Sequence, residues 1–127
     1  ISYRGSKLGL FNADGVQQSK IIYVVKGEIC AILLCQAGLP SCAPSQGEAS
    51  RITDKMKSFL VHADKIIVIG DNPRVEEDKE TIRRAEERAK TLDADLYFPP
   101  KGYIGIDDYL LDKPQEAIEY LRRIGDV

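Results

Sequence analysis

The sequence predicts an α/β fold, a mainly parallel central sheet flanked by helices on both faces. Two observations carry that expectation. Ile21-Ile22-Tyr23-Val24-Val25 and Lys65-Ile66-Ile67-Val68-Ile69-Gly70 are continuous apolar, β-branched runs of strand length. Only a strand covered on both faces buries such a run. Segments of helical character separate the apolar runs, so the chain reads strand, helix, strand, helix, strand, helix, strand, helix. Alternation of that kind builds a parallel sheet, and right-handed crossovers leave few topologies for it.

Residues 1–18 are polar and glycine-dotted and read as an N-terminal arm. Within it, Leu8-Gly9-Leu10-Phe11 is an apolar island suited to an edge strand, and Asn12-Ala13-Asp14-Gly15 is a turn signal. After the strand at 21–25, Gly27-Glu28 opens a helix over Ile29 to Ala37. Nearly every position there is apolar, which predicts burial on most sides, and Gly38 stops the helix as a left-handed cap. Leu39 to Ala43 suits a short strand, with Pro40 marking an edge or a strand start. Ser45 to Glu48 reads as a loop, and Ala49 to Leu60 as a helix with Ile52, Met56 and Phe59 on one face. Following the strand at 65–70, Glu76 to Leu92 is a charged helix with a core stripe of Ile82, Ala85, Ala89 and Leu92. Its Glu80–Arg84 and Glu86–Lys90 pairs fall at i, i+4 on a solvated face. Asp95 to Phe98 gives a short strand closed by Pro99-Pro100, and Pro114 starts an amphipathic helix with Ala117, Ile118, Leu121 and Ile124 inside.

A chain of 127 residues suits a single domain. It begins at Ile1 with no signal-like segment, as expected of a fragment of a longer protein. The longest apolar run, Ile29 to Cys35, has seven residues, against about 18 for a membrane span. No membrane association and a cytoplasmic setting are expected. Cys30, Cys35 and Cys42 form no CxxC pair, consistent with a reduced compartment, and Cys30 and Cys35 read as small buried hydrophobes. With His62 the single histidine, zinc-ligand spacing is absent. A net charge of −2 is not the footprint of an autonomous nucleic-acid binder, so a local basic patch or a neighbouring domain would have to supply that function.

The strand ends carry the candidate chemistry. The first apolar run leads into Lys26-Gly27-Glu28-Ile29-Cys30-Ala31 and the second into Asp71-Asn72-Pro73. Together with Leu10 to Asp14, Gln36 to Pro40, Ser45 to Ala49 and Gly105-Ile106-Asp107-Asp108-Tyr109-Leu110-Leu111, in that order and spacing, they resemble the Toprim domain. The likeness is to primase-helicases rather than topoisomerases and spans roughly residues 8 to 124. It implies a first strand ending in Glu-Gly, a second ending in Asp-x-Asp, and a divalent metal between them. Here the Glu position is Lys26, the second Asp position is Pro73, and an Asp on the first helix is Cys30. Asp71 alone remains, and one carboxylate is a poor Mg²⁺ site. The resemblance thus implies a degenerate metal centre in a DNA replication or mobile-element protein. Nucleic acid would be reached through the parent protein, beside a primase or helicase domain.

Each candidate residue has two readings. Asp71 and Glu28 form a weak Mg²⁺ and catalytic pair, or else Glu28 is a first-turn acid favoured by the helix dipole and Asp71 a turn residue. Lys26 takes over the cation's role and, with Arg74, makes the crevice anion-binding, or else it is an exposed strand-end lysine. Asp107 and Asp108 read as turn and N-cap residues, and His62 as packed or exposed. Three functions follow: a non-catalytic structural or nucleic-acid-binding module; a Mg²⁺-dependent nucleotidyltransferase or nuclease completed by other domains; or a small-molecule-binding α/β domain using the same crevice. Two geometric expectations separate the fold reading from its rivals. The runs at 21–25 and 66–69 should be adjacent, parallel and central, and Lys26 should pair with Asp71 within about 4 Å.

Overall fold

Strand β2 (Ile21–Val24) lies at the centre of a five-stranded sheet. The computed structural model describes residues 10–44 and 52–126, so the expected loop at 45–48 and the first turn of the helix expected from Ala49 lie outside the described residues. The strand order is β1 (Leu10–Phe11), β3 (Ser41–Pro44), β2, β4 (Lys65–Ile69), β5 (Asp95–Tyr97). β2 pairs in parallel with β4 from Ile21↔Lys65 to Val24↔Val68, so the two strongest apolar runs are neighbours, as expected. β3 and β5 continue the parallel pairing on either side, and β1 closes one edge antiparallel to β3. The strand expected near Leu39 begins after Pro40, at Ser41, and lies inside that edge because β1 covers it.

The chain moves from β2 to β3 in one direction across the sheet, and from β3 past β2 to β4 in the other. Right-handed crossovers therefore place the connecting helices on opposite faces. Helix α1 (Glu28–Gln36) shares one face with α4 (Ile106–Asp112) and α5 (Pro114–Asp126), around Tyr23, Val25, Ile67 and Ile69. Helices α2 (Asp54–Leu60) and α3 (Lys79–Leu92) cover the other face, around Ile22, Val24, Cys42 and Val68. Alternate residues of each central strand thus feed two separate cores, which explains why Ile21 to Val25 and Ile66 to Ile69 are apolar throughout.

Four local expectations are corrected. Within the described part of the helix expected over Ala49 to Leu60, Ile52 and Thr53 are not helical and α2 starts at Asp54, because Thr53 caps it by accepting the Met56 N–H at 3.2 Å. Similarly, α3 starts at Lys79 rather than Glu76, since Asp78 accepts the Thr81 N–H at 3.3 Å and its hydroxyl at 2.7 Å. Helix α1 is not buried on most sides: Cys30, Ala31 and Leu34 face the core, while Ile29, Ile32 and Cys35 are exposed. An outer-layer helix has one face to bury, whatever its composition. Finally, α4 replaces the expected turn at Asp107 and Asp108. Gly105 is its N-cap, and Asp108, three residues on, accepts the Gly105 N–H at 3.1 Å.

Candidate functional site

Beyond Val24 the chain leaves β2 through buried Val25 to Lys26, and α1 begins two residues later behind Gly27 as its N-cap. Beyond Ile69 it leaves β4 through Gly70 to Asp71. Continuing the observed register sets Lys26 level with Gly70, one residue from Asp71. Because β2 and β4 flank the point where the strand order reverses, both residues lie at the topological switch point, outside the carboxyl ends of the parallel strands. Open α/β sheets bind ligands there.

The expected ion pair forms. Lys26 Nζ lies 3.3 Å from Asp71 Oδ2, and each side chain is about a quarter exposed, at 27% and 23%. Asn72 fixes the strand end that presents Asp71. Its backbone N–H donates to the Ile104 carbonyl at 2.8 Å, and its amide donates to the Pro99 and Tyr103 carbonyls at 2.9 and 2.8 Å. The loop from 99 to 105 is thereby tied to the end of β4, which brings Asp71 against Gly105 and the start of α4. A Cβ placed on Gly105 would sit 3.5 Å from Asp71 Oδ1.

Two cavities meet at the pair. A cleft of about 410 Å³ opens on the α1/α4 side, walled by Val25, Gly27, Ile29, Cys30, Ile69 and Ile106 with Asp107 at its rim. On the α3 side is a small groove. Lys26 and Asp71 line both. Burial and the nearby Asp107 and Asp71 carboxylates push the Cys30 thiol well above its ordinary range, so it is protonated at neutral pH.

Glu28 occupies the first turn of α1 and lines neither cavity. Arg74 is exposed on the loop beyond Asp71, also outside both linings. Instead the fold brings Asp107 beside Asp71, and Thr81, Arg84 and Arg88 of α3 beside Lys26. The i, i+4 spacing of the two arginines was a readable signal, but the long charged helix around them read as solvated throughout. His62 lies away from this edge, with Nδ1 2.8 Å from the Phe59 carbonyl and Nε2 3.2 Å from that of Val16.

The residues present do not fit a resident Mg²⁺. Among the described residues no three His, Cys, Asp or Glu side chains converge as a metal site, and an ammonium stands against Asp71 where a second carboxylate would be needed.

Fold and site together define an open α/β domain with its crevice at the switch point of a parallel sheet. No protein-family model and no curated protein matches the sequence. Among solved structures the chain is similar in fold to the primase fragment of the bacteriophage T7 primase-helicase protein, with a TM-score of 0.66 and 18% identity. The match covers 87% of this chain and 47% of that one, so the chain spans about half the length of the primase fragment. At that identity the likeness is one of fold.

Proposed function

We propose that this chain is a Toprim-like domain of a DNA primase- or helicase-type protein of replication or of a mobile element. In this reading it works as a non-catalytic module that binds nucleic acid or braces a neighbouring primase or helicase domain. The primase-like fold supports the assignment, and the Lys26–Asp71 pair at 3.3 Å carries the non-catalytic part. A fixed ammonium at the end of β2 neutralises Asp71, which is the electrostatic task of a bound cation. It offers no exchangeable coordination position, so the metal-dependent step of a nucleotidyltransferase has no seat here.

Two measurements test this reading on the 127-residue chain. Mn²⁺ titration followed by NMR line broadening should produce site-specific broadening only at millimolar concentrations. Broadening centred on Asp71 and Glu28 at micromolar Mn²⁺ would restore the enzyme reading. Single-stranded oligonucleotide should bind at low salt and be released as salt rises, with log K falling by about 0.7 per decade of salt for each phosphate contacted. Binding that ignores salt would remove the nucleic-acid role.

A further inference from the structure

The α3 side of the strand ends is built by close approach. A Cβ placed on Gly70 would meet Phe98 Cε2 at 2.7 Å and Ala85 Cβ at 2.9 Å, so helix and strand touch there only because both facing residues are small. That approach lays one face of α3 over the end of β4, with Thr81, Arg84 and Arg88 at i, i+3 and i+7. Together with Lys26, Gly70 and Asp71 they line a groove of about 20 Å³. The groove is small beside the cleft of about 410 Å³ on the other side of the pair and suits a small charged group. Around that space stand an ammonium and two guanidinium groups, with the Asp71 carboxylate among the lining residues, while the Thr81 hydroxyl is donated to Asp78 at 2.7 Å. Arg84 is steadied by Glu80, 3.4 Å from its Nε, which engages one of five guanidinium donors.

We propose that this groove seats one backbone phosphate of a single-stranded nucleic acid, held by Lys26, Arg84 and Arg88. The inference rests on the nucleic-acid reading above and replaces Arg74 as the partner of Lys26. Planar guanidinium forks match the geometry of two non-bridging phosphate oxygens. The polymer is taken from the nucleic-acid reading above, and the neighbouring cleft, which shares Lys26, Ile69 and Asp71 with the groove, adjoins it.

The test is fluorescence anisotropy of labelled oligothymidylate across a salt series, with inorganic phosphate as an NMR probe. Wild type should bind, and phosphate should shift the Gly70 and Thr81 amides. The Arg84→Gln/Arg88→Gln double variant should lose about tenfold or more in affinity, and its salt slope should flatten by about 1, near the 0.7 per lost contact expected for single strands. Arg84→Gln alone should lose part of the affinity, and Arg74→Gln none. Should the double variant fold poorly by circular dichroism, the single variant and the phosphate shifts still decide. Wild-type affinity in a folded double variant, or in Arg84→Gln if the double misfolds, sinks this site while leaving the nucleic-acid reading intact. Sensitivity confined to Arg74→Gln does the same. Failure of wild type to bind at low salt removes both.

Discussion

Replacing Lys26 by Glu should turn the strand-end crevice from a self-neutralised pair into a metal-dependent one. At 3.3 Å the pair is in direct contact, and with an effective dielectric near 20 its gross attraction is about 5 kcal/mol. Desolvation and residual exposure offset most of that, so Lys26→Ala should cost about 1–2 kcal/mol. Lys26→Glu replaces the attraction by repulsion between two carboxylates and should cost about 2–4 kcal/mol without divalent metal. Adding Mg²⁺ should then recover stability as RT ln(1 + [L]/Kd), about 1.4 kcal/mol at tenfold excess over Kd. The assay is urea unfolding of wild type, Lys26→Ala and Lys26→Glu, with and without millimolar Mg²⁺ at matched ionic strength. Only Lys26→Glu should shift its midpoint with the metal. If it is indifferent to Mg²⁺, or if Lys26→Ala is as stable as wild type, Lys26 is a surface lysine and the substituted-cation reasoning is wrong.

Gly70→Ala should destabilise by about 1–3 kcal/mol in the same assay, because its new methyl overlaps both Phe98 and Ala85; an unchanged midpoint would show that α3 moves away freely. Native protein should react rapidly with a thiol reagent at Cys35 alone. Cys35 is exposed, whereas Cys30 and Cys42 are buried, with the Cys42 thiol pushed up to about 12 by burial; more than one fast thiol before unfolding contradicts the packing. Stability should also fall in strong base. The hydrogen bond from Tyr103 to Asp112 raises its phenol to about 12, and burial followed by the bond to Glu116 does the same for Tyr109. Unfolded phenols ionise near about 10, so the contribution is complete below that pH and is lost between about 10 and 12. A urea midpoint that stays flat through this window, or that falls equally in Tyr109→Phe, refutes it.

The features legible in the sequence were those encoded by one segment at a time. The runs at 21–25 and 65–70 announced central strands because a doubly covered strand must be apolar at consecutive positions, and their length and β-branched content argued against a buried helix. Helix α4 escaped notice because it is seven residues long and its N-cap is a glycine with no capping oxygen of its own. Ile106, Tyr109 and Leu110 do fall at i, i+3 and i+4, and Asp108 stands where it can reach back to Gly105, but two helical turns give a weak period. The apolar content of α1 misled in the opposite direction. Composition reported that the helix could be buried all round, whereas its place in an outer layer left Ile29 at 71% exposure.

The site divided along the same line. Lys26 and Asp71 were legible as partners because each is fixed by its own strand end and the strands are neighbours in register. Arg84 and Arg88 were not, since only the packing of Ala85 against Gly70 turns that face of α3 toward the edge. Once assembled, the edge has a sign that one residue controls. Among lining residues the groove sets Lys26, Arg84 and Arg88 against Asp71, and the cleft sets Lys26 against Asp71 and Asp107. A glutamate at position 26 would leave the groove with two cations against two carboxylates and give the cleft three carboxylates and no cation among those linings. The groove with lysine at position 26 suits phosphate, and the cleft with glutamate there suits a divalent ion. The charge at the end of β2 therefore selects which kind of ligand this α/β edge can hold, with the backbone beneath it unchanged.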